Sequence, residues 1–460
     1  MKIGIVGGGI SGLMAAYRLT QSDKNIEVEL YEKGEDLVYR SCPILAKKVE
    51  KCVNCRHCAI MEGLAGAGAF SDGKYNITTE FGGWLQNIID KNVLLSYIEQ
   101  ADEVLVSFGA DTYRYPTDPG LIKLCKQHDL HMLKSNCKHL GTDANYKTML
   151  RMIDHLKSQS NMHILTKTEV LGVEKSDKGF RIEYTDSNDN RNSSLVDKVI
   201  FAVGRVGSGF FKEWCDRHKI SLINNQVDIG VRVELPSMIW EDFEKRIYEP
   251  KIHYRSKRYG DTIRMFCFNG RGEVVTENTN GVLTVNGHAY SSEELKTENT
   301  NFALLSTIRF TQPFNKPIEY ARSVAKMANM ISGGSVLVQR LGDLERGRRT
   351  DESRLAKSTV SHTLKGAVAG DLSLCMPKRQ LDNIIETLHA LDEVAPGTAN
   401  YDTLLYGIEC KYYSARPKTN SEFELDGVEG CYAVGDGAGF TRSLAQAAAQ
   451  GLMVADIILR

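Results

Sequence analysis

The chain opens on a strand, a glycine turn and a helix. Lys2-Ile3-Gly4-Ile5-Val6 reads as a strand, and Gly7-Gly8-Gly9-Ile10-Ser11-Gly12 follows it directly with the spacing GxGxxG. Residues 11–20, rich in Leu, Met and Ala, read as the helix behind the turn, and residues 27–31 as the next strand. In such a unit Gly7 permits the tight turn and Gly9 lets the backbone approach a pyrophosphate. Gly12 lets the helix pack close to the strand, and the free N–H groups at the helix start favour phosphate. Glu32 stands 20 residues past Gly12, where a carboxylate accepts hydrogen bonds from an adenosine ribose and disfavours a 2′-phosphate. The pattern predicts a dinucleotide site with Gly7, Gly9, Ile10, Ser11, Gly12, Glu32 and Lys33 as its first candidate contacts.

A chain of 460 residues has room for two or three domains. Strand signals return at residues 162–165, 198–203 and 430–434, so the α/β pattern brackets the chain. Between them, residues 227–310 alternate in the β manner with turn signals at Asn269-Gly270 and Asn280-Gly281, and residues 318–331 and 381–391 read as helices. The expected fold is α/β: a discontinuous Rossmann-like nucleotide-binding domain built from residues 1–208 and 401–460. Residues 209–400 form an inserted β-rich plus helical substrate domain. Charge is balanced, 57 Lys+Arg against 58 Asp+Glu, and the sequence pI is 6.8. No global field therefore favours nucleic acid or an acidic membrane. A mean hydropathy of -0.29 and the lack of a long apolar run argue against a transmembrane helix. The strand at residue 2 leaves no room for a signal peptide. A cytoplasmic protein is expected, with its 11 cysteines as reduced thiols, ligands or redox groups.

A second glycine turn lies near the other end. Cys431-Tyr432-Ala433-Val434-Gly435-Asp436-Gly437-Ala438-Gly439 is a strand running into a glycine turn with one acid, and a small-residue helix follows at residues 445–451. Asp436 can bond ribityl hydroxyls, and the helix would point its positive end at a flavin ring. Here the sequence resembles the FAD-dependent oxidoreductases that share a two-dinucleotide-type FAD domain. Val199-Ile200-Phe201-Ala202-Val203-Gly204-Arg205 looks like the strand–glycine crossing before their substrate domain, and Thr168-Glu169-Val170 like the strand that meets their adenine. A second nicotinamide fingerprint is absent, since Gly204, Gly207 and Gly209 fall at the wrong offsets. A plain NAD-dependent dehydrogenase is opposed by the Asp436 turn.

Longer motifs resemble a group of bacterial flavoproteins described only as uncharacterised FAD-dependent dehydrogenases. They are the loop at residues 66–78, Lys138-His139-Leu140-Gly141-Thr142-Asp143, residues 228–234, Val285-Asn286-Gly287-His288, residues 299–302, Gly370-Asp371-Leu372 and residues 435–442. Ser361-His362-Thr363-Leu364 departs from the group in lacking a proline before the Thr-Leu pair. The resemblance implies FAD and redox chemistry but no substrate. It implies cofactor contacts from Arg40, from Gly66, Ala67, Gly68, Phe70, Ser71 and Asp72, from Val170, Gly204 and Arg205, and from Gly435, Asp436, Gly439 and Ala445.

Four cysteines crowd together, Cys42 and then Cys52, Cys55 and Cys58 as CxxCxxC. Two-residue spacers let thiolates converge on one centre, as iron–sulfur and zinc sites require. An iron–sulfur cluster, a zinc site and simple or redox-active thiols all remain open. His139 and His288 are the candidate proton donors or acceptors. Arg232, Arg264 and Arg340 are candidates either for clamping a substrate carboxylate or for salt bridges. The leading expectation is hydride transfer between flavin N5 and a small organic substrate held between the two domains. Electron relay through a cysteine-ligated centre is an added option, and the electron source is left open between a nicotinamide nucleotide, a protein and the substrate. The rival is a non-catalytic flavin-binding or redox-sensing protein.

Overall fold

Ile3 and Ile5 are fully buried on a strand flanked by other parallel strands, which is why Lys2–Val6 reads as a nearly unbroken apolar run. The computed structural model describes every residue except 44, 45, 47, 49–52, 54, 135, 280, 291 and 292. Two compact units emerge: Met1–Tyr115 with Ser135–Asn224 and Ser414–Arg460, and Pro116–Lys134 with Asn225–Tyr413.

The first unit is built on a five-stranded parallel sheet. Its strands are β1 (Lys2–Val6), β2 (Glu27–Tyr31), β3 (Met162–Leu165), β4 (Lys198–Phe201) and β5 (Cys431–Ala433), in the spatial order β5-β4-β1-β2-β3. The chain leaves β1 to one side for β2 and β3, then returns to the other side for β4 and β5. The crevice beyond the carboxyl ends of β1 and β4 is therefore the switch point where open α/β sheets bind ligands. Helix α1 (Ile10–Thr20) connects β1 to β2, and helix α2 (Leu444–Leu459) follows β5. From Ala445 to Ala455 every residue of α2 is buried, so the helix is enclosed on all sides rather than lying half in solvent. The two helices touch through small residues: a Cβ on Gly451 would stand 2.2 Å from the Ser11 carbonyl oxygen.

The second unit is centred on an eight-stranded mixed sheet. Its order is Val368–Ala369, Leu337–Arg340, Leu404–Lys411, Val227–Pro236, Asn299–Ile308, Thr262–Asn269, Ile252–Arg255 and Leu130–Met132. The last of these, at the edge, draws Pro116–Lys134 into this unit through its antiparallel pairing with Ile252–Arg255. The unit borders thus fall at 224/225 and 413/414, against the 208/209 and 400/401 read from the sequence.

On the central strand, Val227, Ile229, Val231, Val233 and Leu235 pack into an apolar core. The helices Pro317–Ile331 and Lys378–Asp392 contribute Ala321, Ala325, Ile384 and Leu388 to it. The opposite face carries Asp228, Arg232 and Glu234, all fully buried. Arg232 pairs with Glu409 at 3.5 Å, Lys411 with the same carboxylate at 3.2 Å, and Arg264 with Asp228. Glu234 accepts from the Thr363 hydroxyl at 2.6 Å and from the Asn299 amide at 3.1 Å. Buried charge is tolerated here because each group meets an opposite charge or a donor. Among the described residues, no helix is long and apolar enough to cross a membrane.

Candidate dinucleotide site

The turn after β1 is forced by backbone proximity. Gly7 holds φ +110°, and a Cβ there would stand 2.4 Å from the Ala202 carbonyl oxygen at the end of β4. A Cβ on Gly12 would stand 2.2 Å from the Gly7 carbonyl oxygen, so only glycine lets α1 start this close to the strand. Gly9, by contrast, would place its Cβ in open space. That space belongs to a cavity of about 360 Å³, within the range of ~300–1,000 Å³ usual for small-molecule sites.

The cavity gathers segments that are far apart in sequence. Gly7, Gly9, Ile10 and Ser11 line it from the first turn, Glu32 and Lys33 from the end of β2, and Gly66, Ala67, Gly68 and Ser71 from the following loop. Val170, Gly204 and Arg205 line it from the middle of the chain, and Gly435 and Asp436 from the second turn. Gly12, Arg40, Phe70, Asp72, Gly439 and Ala445 do not line it. Gly12 and Ala445 are packed inside the fold, and Arg40 and Phe70 act on the loop behind the wall.

Glu32 organises one end of the cavity. Its carboxylate, 7% exposed, accepts from the backbone N–H groups of Gly8, Gly34 and Gly63, each at 2.9 Å. Those three bonds leave lone-pair capacity on the carboxylate for a further donor. Beside it, Lys33 pairs with Glu62 at 2.7 Å. Glu62 also accepts from the Cys58 N–H at 2.9 Å and faces His57 Nδ1 at 3.3 Å. The end of the cysteine-bearing segment is therefore tied to the Glu32 side of the cavity.

Arg40 supports this region from behind. Its guanidinium donates to the carbonyls of Ala59 at 2.9 Å, Ile60 at 2.9 Å, Leu64 at 2.7 Å and Gly66 at 2.8 Å, and it lies over the Phe70 ring. Burial pulls its pKa down to about 10, against the opposing pull of Glu32. It stays charged at neutral pH.

At the other end, Asp436 Oδ1 accepts from the Thr441 hydroxyl at 2.6 Å, and Oδ2 faces Arg205 at 3.9 Å. The side chain is half-buried and lines the cavity. Burial raises its pKa above the usual carboxylate value, while Arg205, the Thr441 hydrogen bond and Arg442 pull the other way. Helix α2 begins beside it, with the Ser443 side chain accepting from the Gln446 N–H at 3.2 Å, and Ser443, Leu444 and Ala447 line the cavity. The starts of α1 and α2 thus both face one space, a setting that favours an anionic ligand.

Sequence reasoning missed Met61, Glu62 and Phe210 on the cavity wall, while Gly63 and Arg442 fall within stretches it had singled out. His139 lies outside the lining, paired with Asp72 at 3.5 Å. His288 belongs to the second unit, exposed at the end of the strand Val282–His288. Arg232, Arg264 and Arg340 are all engaged in ion pairs, Arg340 with Asp343 at 2.9 Å and Asp402 at 3.0 Å. Cys42 is half-buried and Cys55 and Cys58 are exposed, while Cys52 lies outside the described residues. Among the described residues no three His, Cys, Asp or Glu side chains group to hold a metal ion.

Residues 5–41 match the family model described as NAD(P)-binding Rossmann-like domain, and residues 226–412 the model described as FAD-dependent protein, C-terminal domain-like. An uncharacterised protein of Clostridium beijerinckii is 25% identical over 473 residues, covering 99% of this chain and 80% of its own length. Among solved structures, glycine oxidase from Geobacillus kaustophilus is 11% identical with a TM-score of 0.39, covering 100% of this chain and 94% of that one. Pyridoxine 4-oxidase from Mesorbium loti is 11% identical with a TM-score of 0.45, covering 99% and 98%. Two separate stretches of the chain are thus similar to described families, residues 5–41 to a NAD(P)-binding Rossmann-like domain and residues 226–412 to an FAD-dependent protein, C-terminal domain-like.

Proposed function

We propose that the protein is an FAD-dependent oxidoreductase acting on a small organic molecule, with FAD held in the cavity of the first unit. The observation that carries this reading is the convergence of Gly9 and Asp436, 427 positions apart, on one cavity. The residues present fit the cofactor. Open space in front of Gly9 and the start of α1 suit a pyrophosphate. Glu32 keeps an acceptor for a ribose hydroxyl, and Asp436 presents an oxygen toward the cavity for a ribityl hydroxyl.

When bound, FAD supplies hydride transfer at its flavin ring. The chain's own residues orient it: Glu32 at the adenosine end, the start of α1 beneath the diphosphate, and Asp436 with Arg205 at the opposite end. The start of α2 adds a positive dipole end there, which stabilises negative charge on a ligand beside it. Val170, Ile10, Phe210 and Leu444 supply apolar wall that excludes water. The reading does not call on a cysteine-ligated centre, and it gives His139 no proton-transfer role.

The test is the absorbance spectrum of the purified protein, followed by photoreduction and a screen of electron donors and acceptors. The reading expects a yellow protein whose flavin turns over with at least one small-molecule pair. A protein that takes up no FAD contradicts it, and a bound flavin that never turns over favours a non-catalytic flavin-binding role.

A further inference from the structure

Two motifs singled out in the sequence, residues 66–78 and 138–143, fold against each other. Strand Lys74–Ile77 pairs antiparallel with strand Asn136–His139, with Tyr75 opposite Lys138 and Lys74 opposite His139. The pairing continues past the strands, where Leu140 N–H reaches the Gly73 carbonyl at 3.2 Å and Gly141 N–H the Asp72 carbonyl at 2.9 Å. Lys138 anchors this ribbon, fully buried, with its ammonium 2.7 Å from Asp102. Arg114 holds the same carboxylate at 2.7 Å.

Beyond the ribbon, the helix Thr142–Lys157 brings in Asn145, which has no exposed surface. Its amide nitrogen donates to the Gly68 carbonyl at 2.7 Å and the Ala69 carbonyl at 3.4 Å. Its amide oxygen accepts from the Tyr75 hydroxyl at 3.0 Å. The reverse amide orientation would set an oxygen against two carbonyl oxygens, so these partners assign it. The Gly68 carbonyl also accepts from the Ser71 hydroxyl at 2.8 Å.

The loop held in this way is the cavity wall that spans both helix starts. A Cβ on Gly66 would stand 3.2 Å from Gly9 Cα, and one on Gly68 would stand 2.8 Å from Leu444 Cδ2, the first residue of α2. Ala65 N–H donates to the Gly8 carbonyl at 2.8 Å. A shift at Gly68 therefore reaches the space between the two glycine turns.

We propose that Asn145 is a positioning residue for the dinucleotide. Through the Gly68 carbonyl it sets the wall at residues 66–71, and so the geometry in which the cofactor is held. This inference rests on the FAD reading above. The test uses the full-length protein. FAD affinity is measured by titration of the deflavinated form, and the visible circular dichroism of bound flavin is recorded at saturating FAD, so that occupancy is equal. Asn145→Ala is expected to weaken FAD about tenfold or more, the scale of a lost buried hydrogen bond, and to shift the visible bands. Should Asn145→Ala not accumulate as folded protein, Tyr75→Phe removes the hydroxyl that fixes the Asn145 amide oxygen, at a residue that does not line the cavity, and is read the same way. Wild-type affinity together with unchanged visible bands in the variant read overturns the proposal and leaves the FAD reading standing. Wild-type protein that takes up no FAD overturns both.

Discussion

Ser11 and Gly435 lie against each other. Gly435 holds φ +79°, and a Cβ on it would stand 2.6 Å from the Ser11 hydroxyl oxygen. Ser11 belongs to the first turn of α1 and Gly435 to the turn after β5, so this contact joins the two ends of the chain at the cavity. The Gly435 N–H is fixed by the Gln450 side chain of α2 at 2.8 Å, which locks the second turn to its own helix.

Gly435→Ala meets both constraints at once. A non-glycine residue in the left-handed region costs about 1–2 kcal/mol, and the new methyl must displace Ser11. The expected outcome is a purified protein with less than half the wild-type flavin-to-protein ratio and a lower melting temperature. Absorbance at the flavin and protein bands, with a thermal melt, measures both.

Glu32 is predicted to matter for the fold as well as for the ligand. In Glu32→Ala the N–H groups of Gly8, Gly34 and Gly63 lose their acceptor, at about 1–3 kcal/mol for each donor left buried without one. Denaturant unfolding of the apoprotein should show roughly 3 kcal/mol or more lost. Glu32→Gln, which keeps one acceptor oxygen, should lie between this variant and wild type.

The legible parts of the molecule were those whose chemistry is local. The glycine spacing after β1, the acid after β2 and the turn at Asp436 each follow from short-range backbone geometry, and the cavity contains all three. Arg40 shows the opposite case: its place in the sequence suggests a ligand contact, while its fork is used on four backbone carbonyls. Nothing local encodes those carbonyls' positions. Alternation along residues 227–236 reads as a strand and marks one of its faces as apolar. The structure buries the second face too, because Arg232, Glu234 and Asp228 find ionic or hydrogen-bonding partners on other strands and loops. The edge strand Leu130–Met132 was illegible for a related reason, since only its long-range pairing with Ile252–Arg255 places it in the second unit.

Arg40→Lys tests that structural role. Lysine keeps the charge but cannot donate to four carbonyls through a planar fork. The expected result is faster hydrogen exchange across residues 59–66 and FAD affinity weakened about tenfold, for roughly one or two kcal/mol of lost hydrogen bonding. Hydrogen-exchange mass spectrometry of the apoprotein reads the first effect without depending on the cofactor.

Asp343 gives the second unit a defined acid sensitivity. Burial alone would raise its pKa, but hydrogen bonds from Tyr401, Thr350, Arg340 and Arg348 overcome this and hold it at about 2. A depressed carboxylate stabilises the folded state fully above its ordinary value near 3.8 and loses that contribution as pH falls through about 2. The difference corresponds to about 2 kcal/mol. Urea unfolding at pH values between 5 and 2 should show this loss in wild type, and Asp343→Asn should flatten it by a similar amount.

Titration of FAD into the deflavinated protein, for wild type beside Gly9→Val and Asp436→Ala, tests the account most directly. Valine at position 9 fills space that glycine leaves open to the cavity, and alanine at 436 removes the carboxylate at the other end. One FAD per chain, with both variants weakening that same binding event at least tenfold, is the predicted result. No FAD bound by wild type, or wild-type affinity in either variant, would contradict it.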